Sequence, residues 1–227
     1  MENLFTRTEQ LIGHDGLGLL GEARVILFGV GGVGGWCAET LVRSGVRHLT
    51  IVDFDVVDPT NVNRQLVATA RNIGRPKVEE MRLRLLSINP EADIVAVNKR
   101  YTADTALDFN LSSYNYIIDA IDSVADKALL LSNATASSAT LFSSMGAGRK
   151  LDAGKVRVSE FRKVEGCPLA RALRHRFKQT GMFPQKRFLC VWSPEITGES
   201  GTMAHIVGTF GMRLTNLLIH DVLSQQR

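Results

Sequence analysis

A run of glycines between an apolar stretch and a helix-forming stretch constrains the fold of this chain more than any other feature. The sequence GVGGVG occupies residues 29–34 and directly follows RVILF at 24–28, an apolar run typical of a buried strand. In a G-x-G-x-x-G pattern the glycines allow a tight turn, close approach of a phosphate to the backbone, and close packing of the helix on the sheet. The first N–H groups of the helix also favour an anion. We therefore expect a nucleotide site that includes Gly29, Gly31, Gly32 and Gly34.

Short apolar runs alternate with amphipathic stretches along the first two-thirds of the chain. The pattern predicts strands at 24–29, 48–53, 94–97, 116–119 and 140–144. It predicts intervening helices at 33–44, 77–88 and 122–137. Such alternation is typical of an α/β, Rossmann-like fold, in which helices cover both faces of a mostly parallel sheet.

The pattern changes after residue 148. Residues 155–161 alternate as an antiparallel or edge strand does, and a strand is also predicted at 187–192. A short basic helix is expected at 169–177 and a final helix at 203–223. We interpret residues 1–227 as a single domain, with a nucleotide-binding core at 1–148 and a substrate-facing extension, which contains antiparallel strands, at 149–227.

Cysteine usage and hydropathy bound the class of protein. The three cysteines, Cys37, Cys167 and Cys190, lie far apart, which argues against a disulfide framework and against a four-cysteine zinc site within one chain. A reducing cytoplasm is the expected compartment. The sequence does not begin with basic residues followed by an apolar run, so we expect no signal peptide. The most apolar segment, 203–219, is interrupted by polar residues and predicts a buried helix, so we expect no membrane association.

Positive charge is concentrated in one segment. The net charge is only +4, but residues 162–187 carry eight basic residues against the single acid Glu165. Such a segment favours a polyanionic partner, and a solvated basic face is the alternative.

Polar residues that follow the second and fourth strands suit chemistry at phosphorus. Asp53 ends the second strand, where a carboxylate can bind ribose hydroxyls. Arg64 and Lys77 follow; hydride transfer does not need them, whereas attack at a nucleotide phosphorus needs cations to neutralise the phosphoryl oxygens. Asp122 follows the fourth strand at the end where ligands bind in α/β sheets, and its carboxylate can hold Mg²⁺.

Each of these residues also has an ordinary structural interpretation. Asn61 can be a turn residue, Arg64 a surface charge and Lys77 a cation at a helix start. Asp122 can cap the N-terminus of a helix.

Four motifs in order, GVGGVG, DFDVVDPTNVNRQ, GRPKVE and DAIDS, resemble those of the ThiF/MoeB family, the bacterial relatives of ubiquitin-activating enzymes. The resemblance implies adenylation of a carboxylate with ATP and Mg²⁺ and release of pyrophosphate. It implies that Gly32 contacts ATP, that Asp53 binds the ribose, and that the phosphates are bound by Asn61, Arg64 and Lys77. Asp122 then binds the metal or orients the attacking carboxylate, and we also assign Asp55 and Ser123 to the nucleotide site.

The family pattern further includes an arginine near the N-terminus that reaches the phosphates of the neighbouring subunit. Arg7 is similar in placement, which implies a homodimer; a solvated surface arginine is the alternative.

Three stretches, RTEQLIG, IIDAIDSVADKA and CVWSPE, resemble the tRNA threonylcarbamoyladenosine dehydratase branch of that family. The resemblance implies that ATP activates the side-chain carboxylate of threonylcarbamoyladenosine in tRNA, and that an internal nucleophile then displaces AMP to give a cyclic nucleoside. Some members carry a further cysteine just before the last helix, but residues 196–202 contain none. We expect Cys190 to be a buried structural thiol.

Three alternatives stay open from the sequence. The first is an adenylating enzyme for a ubiquitin-like sulfur carrier, and a sulfur-transfer protein is a possible partner in either case. The second is a non-enzymatic tRNA- or protein-binding module. The third is an NAD-dependent dehydrogenase, for which no catalytic His or Lys constellation is recognisable.

Overall fold

One seven-stranded sheet forms the centre of the part of the chain that the computed structural model describes, residues 4–224. Its strands are β1 (Arg24–Phe28), β2 (His48–Asp53), β3 (Asp93–Asn98), β4 (Tyr116–Asp119), β5 (Thr140–Ser144), β6 (Arg157–Glu160) and β7 (Leu189–Trp192). Their order across the sheet is β3-β2-β1-β4-β5-β7-β6. Every neighbouring pair is parallel except β6 with β7. The mostly parallel sheet predicted from the alternating pattern is confirmed.

Helices cover both faces of this sheet. They are α1 (Thr6–Glu22), α2 (Gly32–Arg43), α3 (Lys77–Ile88), α4 (Val124–Ala136), α5 (Pro168–Thr180) and α6 (Ala204–Ser224). Successive side chains of a strand point to opposite faces. Val25 and Leu27 of β1 accordingly pack in the core formed with α2, α3 and α6. Ile26 and Phe28 pack in a second core formed with α4 and α5.

Two features differ from the sequence prediction. The sequence pattern does not predict helix α1, because four glycines lower its helix propensity and Gly13, at φ +77°, interrupts it with a kink. Glycine at position 16 lets α1 lie close to α6, since a Cβ there would be 3.1 Å from Leu223 Cδ2. The antiparallel part of the sheet is also smaller than expected, because β7 runs parallel to β5 and only β6, at the edge, is antiparallel.

The segment after residue 148 is built into the same sheet as the segment before it. It supplies β6 and β7, and α6 packs along α2 so closely that a Cβ on Gly211 would lie 2.6 Å from the Val33 carbonyl oxygen. The division into a core at 1–148 and a substrate-facing extension at 149–227 stays a prediction. Across the described residues, no helix has both the length and the apolarity needed to cross a bilayer.

Candidate active site

A cleft of about 500 Å³ opens at the carboxyl ends of the parallel strands. Strand β1 lies between β2 and β4, so the chain leaves β1 toward one side of the sheet and returns to the other side. Ligands of open α/β sheets bind at such a switch point. The cleft is lined by ten of the predicted site residues: Gly29, Gly31, Gly32, Asp53, Asp55, Asn61, Arg64, Lys77, Asp122 and Ser123.

The glycine turn forms one wall of the cleft. Gly29 has φ +90°, and a Cβ there would lie 2.7 Å from the Ala120 carbonyl oxygen, so a side chain would be both strained and obstructed. Gly31 faces open space, because the atom nearest to a Cβ at this position would be Gln65 Nε2, at 3.9 Å. Helix α2 begins at Gly32 without a side-chain cap. Its first N–H groups are therefore available to an anion.

Gly34 does not line the cleft, in contrast to its predicted place among the nucleotide-binding residues. A Cβ at this position would lie 1.8 Å from the Gly29 carbonyl oxygen. Its contribution is therefore to let α2 pack against the turn, which is the other purpose that the sequence pattern suggests.

Asp53 connects the glycine turn to the end of β2. Its Oδ2 accepts a hydrogen bond from Val30 N at 2.6 Å, and its Oδ1 accepts one from Asp55 N at 2.9 Å. Burial is the largest influence on this carboxyl group and raises its pKa. The side chain thus holds the turn in shape and also lines the cleft beside it.

The predicted cations reach the cleft from two different segments. Lys77 begins α3, is 5% exposed, and places Nζ 2.8 Å from Asp55 Oδ2. Arg64 Nη1 donates to Thr60 O at 2.7 Å and to Asn63 Oδ1 at 3.0 Å. Both side chains therefore line the same cleft as the glycine turn, and neither is only a solvated surface charge.

Asn61 is a turn residue that also lies at the cleft, and its binding of phosphate stays a prediction. It ends a short 3₁₀ helix, Pro59–Asn61, and its Oδ1 accepts a hydrogen bond from Asp58 N at 3.2 Å. It also lines the cleft, whereas Asp58 does not.

Asp122 lines the cleft from the segment that joins β4 to α4, and its side chain is exposed. It does not cap the helix, because α4 begins at Val124 and the N-cap position belongs to Ser123. Within residues 4–224, no protein group hydrogen-bonds to the Asp122 carboxylate. The carboxylate is therefore available to a ligand.

Several lining residues are not apparent from the sequence. Arg100, after β3, places its guanidinium 5.2 Å from the centre of the Phe54 ring and donates through Nε to Asp126 Oδ2 at 2.8 Å. Gln65 is buried, and its Oε1 has no hydrogen-bond partner among the described groups. The others are Phe28, Val33, Val52, Phe54, Lys99, Tyr101, Ala120, Ile121, Asp126, Ser144, Met145, Gly146, Ala147, Gly148, Leu169, Thr202 and Val207. The lining residues after β3 and β5 were predictable from the sequence, because ligands bind at the carboxyl ends of strands in such sheets.

Arg7, predicted to reach the site of a neighbouring subunit, and Cys190, expected to be a structural thiol, both lie outside the cleft of their own chain. Arg7 is exposed on α1 and donates to Gln10 Oε1 at 3.4 Å. Cys190 is fully buried in β7, and burial raises the pKa of its thiol. Burial likewise raises the pKa of Cys37 to about 12. Thiols of this kind are poor nucleophiles near neutral pH, because the thiolate is the reactive form.

The basic segment divides into structural and exposed cations. Arg174 Nη2 donates to Phe161 O at 3.0 Å and to Val164 O at 2.5 Å, so this guanidinium holds the fold together. Lys186 Nζ donates to Ser137 O at the end of α4. Exposed positions on α5 are occupied by Arg171, Arg176 and Lys178.

Comparison with known proteins agrees with the motifs. The family model described as "ThiF family" matches residues 5–217. The tRNA threonylcarbamoyladenosine dehydratase of Bacillus subtilis is 39% identical over 182 residues, which cover 80% of this chain and 72% of that protein. The molybdopterin-synthase adenylyltransferase of Salmonella typhimurium is 31% identical over 91% of this chain and 77% of its own length.

A solved structure also superimposes closely. The Escherichia coli tRNA N6-threonylcarbamoyladenosine dehydratase in complex with ATP matches with a TM-score of 0.90 and 31% identity, over 98% of this chain and 94% of that one. The α/β fold predicted from the sequence is confirmed by this match. The family model spans nearly the whole chain, and the motifs that suggested the family meet in one cleft. The chain belongs to the ThiF family.

Proposed function

We propose that this chain is an ATP-dependent tRNA threonylcarbamoyladenosine dehydratase, which activates the threonyl carboxylate of the modified nucleoside as an acyl-adenylate. The observation that carries the proposal is a single cleft that combines an uncapped helix N-terminus, two cations, Arg64 and Lys77, and the unpartnered carboxylate of Asp122. Two relatives that bear this name are 39% and 38% identical to the chain.

ATP binds with its phosphates over the N-terminus of α2 and its ribose toward Asp53. An oxygen of the substrate carboxylate attacks the α-phosphorus, a new O–P bond forms, and the bond to pyrophosphate breaks. Negative charge grows on the phosphoryl oxygens during this step. Arg64, Lys77 and the N–H groups of α2 stabilise it, because Arg64, Lys77 and Gly32 all line the cleft.

The acyl-adenylate then closes on itself. An internal nucleophile of the modified nucleoside attacks the activated acyl carbon, the bond from that carbon to the adenylate oxygen breaks, and AMP leaves. The net change is ATP to AMP and pyrophosphate, with loss of one water from the nucleoside. No covalent enzyme intermediate is required, which agrees with the burial of all three cysteines.

The proposal includes Mg²⁺, with Asp122 as its candidate ligand. Protein-bound Mg²⁺ is commonly held by one or two carboxylates together with substrate phosphates. Asp122 offers an exposed carboxylate in the cleft that Gly31 and Gly32 also line, so the residues present fit such an ion. When bound, the ion would neutralise phosphate charge, and Asp122 would hold it or orient the attacking carboxylate.

The tRNA contacts the exposed cations of α5. Leu169, in the first turn of α5, lines the cleft, so this basic helix starts at the cleft rim. Arg171, Arg176 and Lys178 are exposed along it and suit phosphate contacts. Phe183, 56% exposed just after the helix, offers a ring for stacking with an unpaired base.

A homodimer completes the phosphate site through Arg7, because this residue is exposed and lies outside the cleft of its own chain. Mixing Arg7→Ala subunits with Lys77→Ala subunits tests this directly. If Arg7 acts across the dimer, hybrid dimers contain one intact site and regain activity that neither variant has alone. Absence of complementation in proven hybrid dimers removes Arg7 from the site.

The proposal also includes a cytoplasmic location and a sulfur-transfer protein partner. The first rests on three free thiols, Cys37, Cys167 and Cys190, in a tRNA-modifying enzyme. The second rests on family resemblance.

The second candidate function is adenylation of a ubiquitin-like sulfur carrier, favoured by the similarity to the Salmonella adenylyltransferase. Incubation with ATP and Mg²⁺ separates the two. We expect AMP and pyrophosphate to appear with tRNA that carries threonylcarbamoyladenosine and not with a carrier protein that ends in Gly-Gly. Pyrophosphate formation only with the carrier, with AMP left bonded to the carrier's C-terminal carboxylate, would contradict the tRNA assignment and support the second candidate.

A further inference from the structure

A buried ion pair lies directly beneath the segment that carries Asp122. Lys127, on α4, and Asp119, at the end of β4, are both completely buried, with 0% exposure. Lys127 Nζ is 2.6 Å from Asp119 Oδ2. Ser143, on the neighbouring strand β5, donates its hydroxyl to the same carboxylate oxygen at 2.6 Å. Neither residue of the pair is exposed to solvent, and neither lines the cleft itself.

The pair makes hydrogen bonds to both backbone polar groups of Ile121, the carbonyl oxygen and the N–H group. Lys127 Nζ donates to Ile121 O at 2.9 Å. Asp119 Oδ1 accepts a hydrogen bond from Ile121 N at 3.1 Å. The backbone of Ile121 is therefore held from both sides, and the next residue is Asp122.

Other contacts hold the two ends of the same segment. Ala120 N donates to Phe28 O at 2.8 Å, and its carbonyl oxygen is the atom that a Cβ on Gly29 would meet. Lys127 N donates to Ser123 O at 2.9 Å as α4 begins. By contrast, the Asp122 carboxylate has no partner of its own within the described residues. Its position is therefore set by its backbone neighbours.

Stability alone does not account for such a pair. Removing two charges from water costs several kcal/mol each, and replacing a buried pair with apolar groups is often neutral or stabilising. What an apolar residue at position 127 cannot supply is the hydrogen bond to the Ile121 carbonyl.

We propose that Lys127 is a positioning residue for adenylation: paired with Asp119, it holds the Ile121 peptide so that the Asp122 carboxylate faces the nucleotide. This inference rests on the proposed function, since it assigns to Asp122 a role at the reacting phosphate. Lys127 itself touches neither ATP nor tRNA, because its side chain is enclosed in the protein.

The test uses a double variant, Asp119→Asn with Lys127→Met, because Lys127→Met alone would leave a buried carboxylate without a cation. The double variant carries no charge at positions 119 and 127 and lacks the ammonium group that binds Ile121 O. The matched control is Leu131→Ala, a buried position of the same helix that has no part in the cleft. Each change is made in the wild-type and in the Asp122→Ala background.

We expect the double variant to lower the rate constant for tRNA-dependent AMP formation on the order of a hundredfold, since a misplacement of about 1 Å can cost that much. The affinity for ATP should change little. In the Asp122→Ala background the same double substitution should cost nothing more, because Lys127 acts through Asp122. Amide exchange across residues 120–123 should accelerate in the double variant and not in Leu131→Ala.

Three results would overturn the inference. They are a wild-type rate constant in the folded double variant, a full and additive loss in the Asp122→Ala background, and unchanged amide exchange across 120–123. Failure of the proposed function has a different signature, which is absence of AMP with the wild-type protein. Amide exchange then still decides whether Lys127 orders the segment.

Discussion

Replacing Lys77 with methionine removes one cation from the cleft while leaving most of its packing in place. The side chain of Lys77 is 6% exposed, and that of its partner Asp55 is 49% exposed. Methionine keeps an unbranched apolar chain in the buried part of the site. Asp55 remains in contact with water, so loss of this ion pair should cost folding only about 0–1 kcal/mol.

The effect on the reaction should be much larger than the effect on folding. A unit charge 4 Å from a developing unit charge contributes about 4 kcal/mol at an effective dielectric constant of 20. Loss of one fixed group that stabilises transition-state charge typically costs about 2.7–4 kcal/mol. The two figures agree, and they predict that Lys77→Met slows AMP formation about a hundred- to a thousandfold.

The assay is tRNA-dependent release of AMP at saturating ATP, with thermal unfolding measured in parallel. Lys155→Met is the matched control, because Lys155 is also an ion-paired lysine, 3.1 Å from Glu195 Oε1, but lies outside the cleft. It should keep the wild-type rate. If Lys77→Met, folded, forms AMP as fast as wild type, the phosphate site is not where we propose it.

Three further predictions concern the rest of the molecule. Cys190→Ala should keep most activity, because this buried thiol lies outside the cleft; total loss of turnover in the folded variant would indicate a covalent route. Arg171→Ala with Arg176→Ala should weaken tRNA binding and flatten its salt dependence without changing ATP affinity, and unchanged tRNA binding at every salt concentration would make α5 a solvated face. Two backbone N–H groups lower the pKa of Glu195 to about 2 from its usual 4.5. The Glu195 carboxylate therefore contributes its full stabilisation above pH 4.5 and loses it as pH falls toward 2. The difference in unfolding free energy between wild type and Glu195→Gln should shrink over that range. A difference that stays constant would refute this role of Glu195.

Much of the fold is predictable because local pattern and tertiary structure agree in the first two-thirds of the chain. The apolar runs that form β1, β2, β4 and β5 are buried, as parallel strands covered on both faces must be. Helix α1 is not predictable in the same way. Its glycines disfavour a helix locally, and its packing against α6 depends on residues far along the sequence, as the contact between Gly16 and Leu223 illustrates.

The site is predictable where its residues follow a strand or a recognisable motif. Asp53, Lys77 and Asp122 belong to this class, and the structure brings them to one cleft. Leu169 and Thr202 reach the same cleft from distant segments, and only tertiary packing determines that they do so. The binding roles of all these residues stay predictions, which the variants above are designed to test.

The basic segment shows a further limit of sequence reasoning. Charge counting treats Arg174 and Arg176 alike, but Arg174 is engaged by backbone carbonyl oxygens and Arg176 is exposed. A sequence contains no direct signal for that difference, because it depends on where the Phe161 and Val164 carbonyls lie after folding.

The most direct test of the central claim is the mass of the modified nucleoside itself. The purified protein is incubated with ATP, Mg²⁺ and tRNA that carries threonylcarbamoyladenosine, and the nucleosides are then analysed by mass spectrometry under conditions that preserve the cyclic form. We predict that the modified nucleoside loses the mass of one water, that one AMP forms for each nucleoside converted, and that Lys77→Met abolishes both on the same time scale. A nucleoside of unchanged mass, with wild-type protein that binds both ATP and this tRNA, would contradict the account.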